Sequence, residues 1–123
     1  MSATDKLKKY IKSLNYSEID TIYQNLIPAE AQDITDKNEI LITEAIMENN
    51  DYGDNTFNSI TQTLEVQIFY SLRPEYDTED FEIKFMKDLE KGGYTATRSD
   101  PHITDPDTYQ TVKLFYFETV RYV

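Results

Sequence analysis

Ser59-Ile-Thr-Gln-Thr-Leu-Glu-Val-Gln-Ile-Phe-Tyr-Ser-Leu72 is the stretch that decides the fold. Leu64, Val66, Ile68 and Tyr70 alternate with Thr63, Glu65, Gln67 and Phe69, and successive side chains on a strand point to opposite faces. This is a long strand with one core face and one mixed face. Just upstream, Asn49-Asn-Asp-Tyr-Gly-Asp-Asn-Thr56 is turn chemistry throughout. Before that turn, Glu39 to Met47 fits strand or helix by periodicity. Ile40, Leu41 and Ile42 favour strand, whereas Glu44 to Glu48 tolerates helix. We read it as strand, so the two segments form a long hairpin around a polar loop.

Working outward, residues 78–91 predict a helix. Phe81, Phe85 and Leu89 lie on one stripe, with Ile83 and Met86 at its edges. Thr78 is the expected N-cap, followed by Glu79 and Asp80 where the helix dipole favours negative charge. Gly92-Gly93 ends the helix with the residue type that suits a left-handed cap. Tyr94 to Arg98 then reads as a short strand, followed by a loop carrying Asp100-Pro101 and Asp105-Pro106. Thr111 to Tyr122 reads as the last strand, with Val112, Leu114 and Tyr116 alternating with Lys113, Phe115 and Phe117.

At the other end, Leu7, Tyr10, Ile11 and Leu14 fall at i, i+3, i+4 and i+7, predicting a helix over residues 4–14. Ser2 or Thr4 is its cap and Asn15 its end. Thr21 to Leu26 reads as a short strand stopped by Pro28, and residues 28–38 as a polar connector. The expected fold is therefore a single α+β domain over residues 1–123. It has a mainly antiparallel sheet with two helices packed on one face.

Composition narrows the function classes. A chain of 123 residues with 39% hydrophobic residues, ten Tyr and six Phe supports one well-filled core. Cysteine is absent and His102 is the only histidine, which excludes disulfides, thiolate nucleophiles, cysteine zinc sites and multi-histidine metal sites. No run approaches the roughly 20 apolar residues of a membrane helix, and Met1-Ser2-Ala3-Thr4-Asp5 lacks the apolar stretch of a signal peptide. The expected setting is the cytosol, without a membrane. Net charge is −11, unevenly spread. Lys6, Lys8, Lys9 and Lys12 against Asp5 leave the first fifteen residues at +3, so the remainder carries −14. A body this acidic repels phosphates, which argues against ordinary DNA or RNA binding. A basic start on an acidic body points to head-to-tail contact between copies through those four lysines; a solvated helix face is the competing reading.

No catalytic constellation is legible. Three glycines leave no GxGxxG, phosphate loop or GxSxG, and no carboxylate pair sits in an apolar setting that separates two pKa values. His102, in Asp100-Pro-His-Ile-Thr-Asp105, is a pH-sensitive contact or, more commonly for such a setting, a plain loop residue. Asp51-Tyr-Gly-Asp54-Asn55 shares fragments with calcium loops but lacks the alternating ligands and distal bidentate glutamate. Phe115-Tyr116-Phe117 and Tyr122 lack the neighbouring positive charge that base stacking on a nucleic acid requires. The expectation is a non-enzyme without cofactor or metal.

Several ordered motifs, taken together, resemble a known family. They are Ile22-Tyr-Gln-Asn-Leu-Ile-Pro28, Ile40-Leu-Ile-Thr-Glu44, Asp51-Tyr-Gly-Asp54, Gln67-Ile-Phe-Tyr70, and Asp105-Pro-Asp107 before an aromatic strand. The resemblance, from about Ile19 onward, is to small tail-assembly proteins of siphophages of Gram-positive bacteria, similar in size and element order to tail terminator (tail completion) proteins. It implies a six-membered ring, formed alone or only on the tube, that caps the tail tube and joins it to the head. The implied partners are further copies of the chain, the tail tube protein and a head connector or completion protein. DNA passes through without specific binding, and the implied location is the host cytoplasm during assembly and then the virion. The polar loops Asn49–Asn58 and Ser99–Tyr109 are the expected axial contacts, through Asp51, Tyr52, Asp54, Asn55, His102, Asp105 and Asp107. A head-completion or connector adaptor is a second reading, and an acidic DNA mimic that inhibits a DNA-binding enzyme is a third.

Overall fold

The computed structural model describes all residues, 1–123. Its elements run α1 (Ala3–Ser13), β1 (Thr21–Gln24), one 3₁₀ turn (Ala29–Ala31), β2 (Glu39–Asn50), β3 (Ser59–Phe69), α2 (Thr78–Lys91), β4 (Thr95–Ser99), β5 (Ile103–Thr104) and β6 (Thr111–Tyr122). The six strands form one sheet in the order β1-β2-β3-β6-β4, with β5 also paired to β6. All pairings are antiparallel except β1 with β2. The chain is an α+β domain, as its patterning predicts.

Both helices cover the same face of the sheet. Ile40 and Ile42 from β2, Leu64, Val66 and Ile68 from β3, and Phe115 and Phe117 from β6 share one core with Leu7 and Ile11 of α1 and Phe81, Phe85 and Leu89 of α2. Phe85 is fully buried, with ring centroids 5.9 Å from Phe115 and 5.8 Å from Phe117. Burying one such ring stabilises the fold by roughly 1.5–3 kcal/mol.

Local chemistry sets each boundary. Ser2 and Asp5 form a reciprocal capping box at α1, and Asn15 ends the helix at φ 52°. The N-cap of α2 is Asp77, whose carboxylate accepts from the Asp80 N–H, and not Thr78. Gly93, at φ 90°, turns the chain out of α2. β1 ends at Gln24 and not Leu26, because Asn25 takes φ 73° and turns the chain out of the extended conformation. β3 ends at Phe69 and not Leu72. The N–H groups of Ser71 and Leu72 leave the ladder for Asn38 Oδ1 and the Thr35 carbonyl.

Two further differences bear on function. β2 continues past Met47 to Asn50, through a bulge between Glu44 and Ile46, because β3 supplies a partner as far as the Asn50–Ser59 pair. The result is an arm of β2, β3 and β6. On it Ile46, Met47, Val120 and Tyr122 are all at least half exposed. The segment after β4, read as loop, contains β5, which pairs Ile103 with Val112 and Thr104 with Thr111.

Candidate functional site

The four α1 lysines lie away from Leu7 and Ile11, the residues that seat the helix on the sheet. Lys6, Lys9 and Lys12 are exposed and Lys8 is half-buried. The carboxylate contacts of basic side chains are Arg98–Asp100 and His102–Glu82, so all four lysines lack a carboxylate partner within the subunit. Two tyrosines hold the helix rigidly. Tyr10 Oη donates to the Asp88 carbonyl and Tyr16 Oη to Asp88 Oδ2, each at 2.6 Å. Burial, then the Asp88 hydrogen bond, pushes the Tyr16 ionisation well above the ordinary range. The helix that carries the lysines is thus tied to α2.

The two candidate loops lie at opposite ends of the molecule. Residues 51–58 cap the β2–β3 hairpin beside the end of β6, with Val123 N–H donating to the Asn58 carbonyl at 2.9 Å. Residues 100–110 sit before the start of β6. The twelve residues of β6 run between them, and its first and last residues lie about 36 Å apart at roughly 3.3 Å per step. No single contact gathers both.

Within the first loop, Gly53 and Thr56 exchange N–H···O bonds of 2.8 and 2.9 Å. Asp54 and Asn55 between them have φ of 51° and 65°, as a type I′ turn requires. Asp51 Oδ2 accepts from Ser59 Oγ at 2.5 Å, so that carboxylate shapes the loop. Tyr52 is 71% exposed and meets the Phe57 ring edge-on. In the second loop Asp105 Oδ1 accepts from the Asp107 N–H at 2.8 Å, a local turn, while Asp107 is exposed.

His102 has a partner that its flanking aspartates concealed. Its Nε2 lies 2.7 Å from Glu82 Oε2, which also accepts from Tyr70 Oη at 2.6 Å. Glu82 and Tyr70 are both buried. Burial first, and the Glu82 carboxylate second, push the Tyr70 ionisation far up. Gln110 Nε2 donates to the Tyr70 carbonyl at 3.1 Å. The end of β3, α2 and the 100–110 segment are thereby fastened together. Sequence reasoning missed Glu82. The one signal was its position next to Phe81, at the edge of the apolar stripe of α2.

No group of three or more His, Cys, Asp or Glu side chains is placed to hold a metal ion, and no helix is long and apolar enough to cross a membrane. Residues 2–120 match the family model described as "Protein of unknown function (DUF806)". The chain belongs to the DUF806 family. No curated protein matches it with significant similarity. In this DUF806 chain the strongest surface features are therefore an unpaired cationic helix, two loops at opposite ends of the sheet, and a half-exposed strand arm.

Proposed function

We propose that the chain is a non-catalytic assembly protein of a phage tail, a terminator that closes into a ring on the end of the tail tube and meets the head-joining protein. The observation that carries this reading is the pairing of four unpartnered lysines on α1 with a body holding −14. A head-to-tail contact between unlike patches is the interface type that makes a ring when its rotation closes. The motif resemblance to siphophage tail-assembly proteins supplies the tube and head as partners and the virion as the location. The two loops, about 36 Å apart along the strands, suit a subunit that contacts different partners at its two ends.

The test is solution mass by light scattering across protein and salt concentration, with and without assembled tail tubes. A salt-sensitive hexamer, or capture at the tube end, is the expected result. In the same assay Lys6→Glu, Lys8→Glu, Lys9→Glu and Lys12→Glu together abolish assembly while leaving the fold intact. A monomer that ignores tail tubes overturns the reading and leaves the DNA-mimic alternative.

A further inference from the structure

On the sheet face opposite the helices, a cleft of about 460 Å³ opens between the connector after β1 and the 105–110 turn. Its floor includes Leu41 and Phe69, and Glu39, Asp33, Asp105 and Asp107 line it. No lysine or arginine does. Glu39 points away from the helices because it alternates with Ile40, a core residue. Glu39 is 3% exposed. The Glu39 carboxylate near Tyr23 pushes the tyrosine ionisation up, yet no donor lies within hydrogen-bonding distance of Glu39 Oε2. A buried polar atom left without a partner is rare and calls for an explanation.

The chemistry of the cleft narrows its occupant. Its carboxylates do not converge as metal ligands, so a bare divalent cation does not fit. An apolar floor leading to a buried carboxylate suits a cation on an aliphatic stem, which buries its methylenes and presents its charge at the tip. A lysine side chain has that form. None of the nine lysines of the chain has a carboxylate partner, and four of them are gathered on α1 with only Asp5 among them. That helix packs on the other face of the sheet. A lysine of α1 therefore reaches this cleft only in another copy.

We infer that the Glu39 cleft is a socket for a lysine from α1 of a second copy of the chain. The inference rests on the ring reading above and supplies its acidic half. Donor and acceptor patches lie on opposite faces of one sheet, so each copy offers one of each and the contact propagates head to tail. Glu39 Oε2 takes the ammonium donor it lacks, and the rim aspartates hold the neighbouring lysines.

The experiment uses the full chain, unlabelled and ¹⁵N-labelled copies mixed, under conditions where the wild type assembles alone or on tail tubes. A zero-length carbodiimide joins ammonium and carboxylate groups already in contact, and mass spectrometry of the digest identifies the pairs. The expected result is links between differently labelled copies that join Lys6, Lys8, Lys9 or Lys12 to Glu39, Asp33, Asp105 or Asp107. Glu39→Gln removes the charge without changing shape and weakens association at least tenfold, with the circular dichroism of the subunit unchanged. Should Glu39→Gln not fold, Asp33→Asn with Asp107→Asn, both exposed, carries the same expectation. An assembling wild type whose α1 lysines link elsewhere, or whose variants assemble equally well, overturns the socket and leaves the ring standing. A wild type that remains monomeric on tail tubes overturns both.

Discussion

Replacing Tyr70 with phenylalanine deletes one oxygen from the middle of the Tyr70–Glu82–His102 cluster. Tyr70 is 1% exposed and Glu82 4%, so water does not replace the lost 2.6 Å hydrogen bond. A hydrogen bond to a charged acceptor is worth about 1.5–3 kcal/mol, and a buried acceptor left short of donors pays its desolvation in full. His102 remains at 2.7 Å, but from a side chain 39% exposed, which keeps the expectation near the middle of that range, about 2 kcal/mol. Unfolding entropy of about 2.1 cal/mol/K per residue converts this into a Tm lower by about 8 °C for a chain of this length.

The assay is urea unfolding at pH 7, followed by circular dichroism and by tyrosine fluorescence, since the chain has no Trp. The midpoint falls and the slope stays the same, because the surface exposed on unfolding is unchanged. Glu82→Met supplies the control. If the hydroxyl stabilises by meeting the carboxylate, Tyr70→Phe costs little once Glu82 is methionine, and the double-mutant cycle returns at least about 1 kcal/mol of coupling. A Tyr70→Phe loss under about 0.5 kcal/mol, or additive single losses, refutes the argument that this pair fastens β3 to α2.

Three other outcomes follow from particular contacts. Gln24, then Ser2, hold the Asp5 carboxyl down at about 2 against an ordinary 3.8; the stabilisation is present above 3.8 and lost as pH falls toward 2. Protection factors of the α1 amides, exchange rates taken relative to the unfolded chain at the same pH, accordingly fall between pH 4.5 and 2, and unchanged protection contradicts the capping role. A Cβ on Gly92 comes within 2.4 Å of the Tyr10 ring, which its hydroxyl ties to Asp88. Gly92→Ala therefore costs about 1–3 kcal/mol, and a wild-type Tm shows that the ring yields freely. The acidic body binds duplex DNA with no measurable affinity at low salt, where phosphate contacts are strongest; tight binding in a fluorescence-anisotropy titration is incompatible with a ring through which DNA slides.

What could be read without coordinates was the local periodicity. Leu64, Val66, Ile68 and Tyr70 declare a strand face, and Phe81, Phe85 and Leu89 declare a helix stripe, because each pattern is written in consecutive residues. The parallel pairing of β1 with β2 was not legible. A parallel partner needs a crossover of a dozen or more residues. Here the segment from Asn25 to Asn38 supplies it with only a single 3₁₀ turn, where a helix would have announced it. β5 was missed because two residues carry no period. Glu82 and Glu39 were missed for a third reason: both look like ordinary surface acids, and what buries them arrives from Tyr70 and His102 in one case and from the connector and the 105–110 turn in the other.

The same topology separates the directions in which the subunit can be extended. The α1 lysines and the Glu39 cleft lie on opposite faces of the sheet, so a contact between them stacks subunits across the sheet plane. The 51–58 and 100–110 loops lie at opposite ends of β6, so contacts through them run along the strands. These directions are nearly perpendicular. A subunit built this way can close laterally through charge while leaving both strand ends free for unlike partners, and substitutions in one set need not disturb the other. An inhibitor that presents carboxylates to a DNA-binding enzyme has no use for a rigid cationic helix on its opposite face. The four lysines of α1, a helix tied to α2 through Tyr10 and Tyr16 against Asp88, are therefore the feature that favours assembly over mimicry.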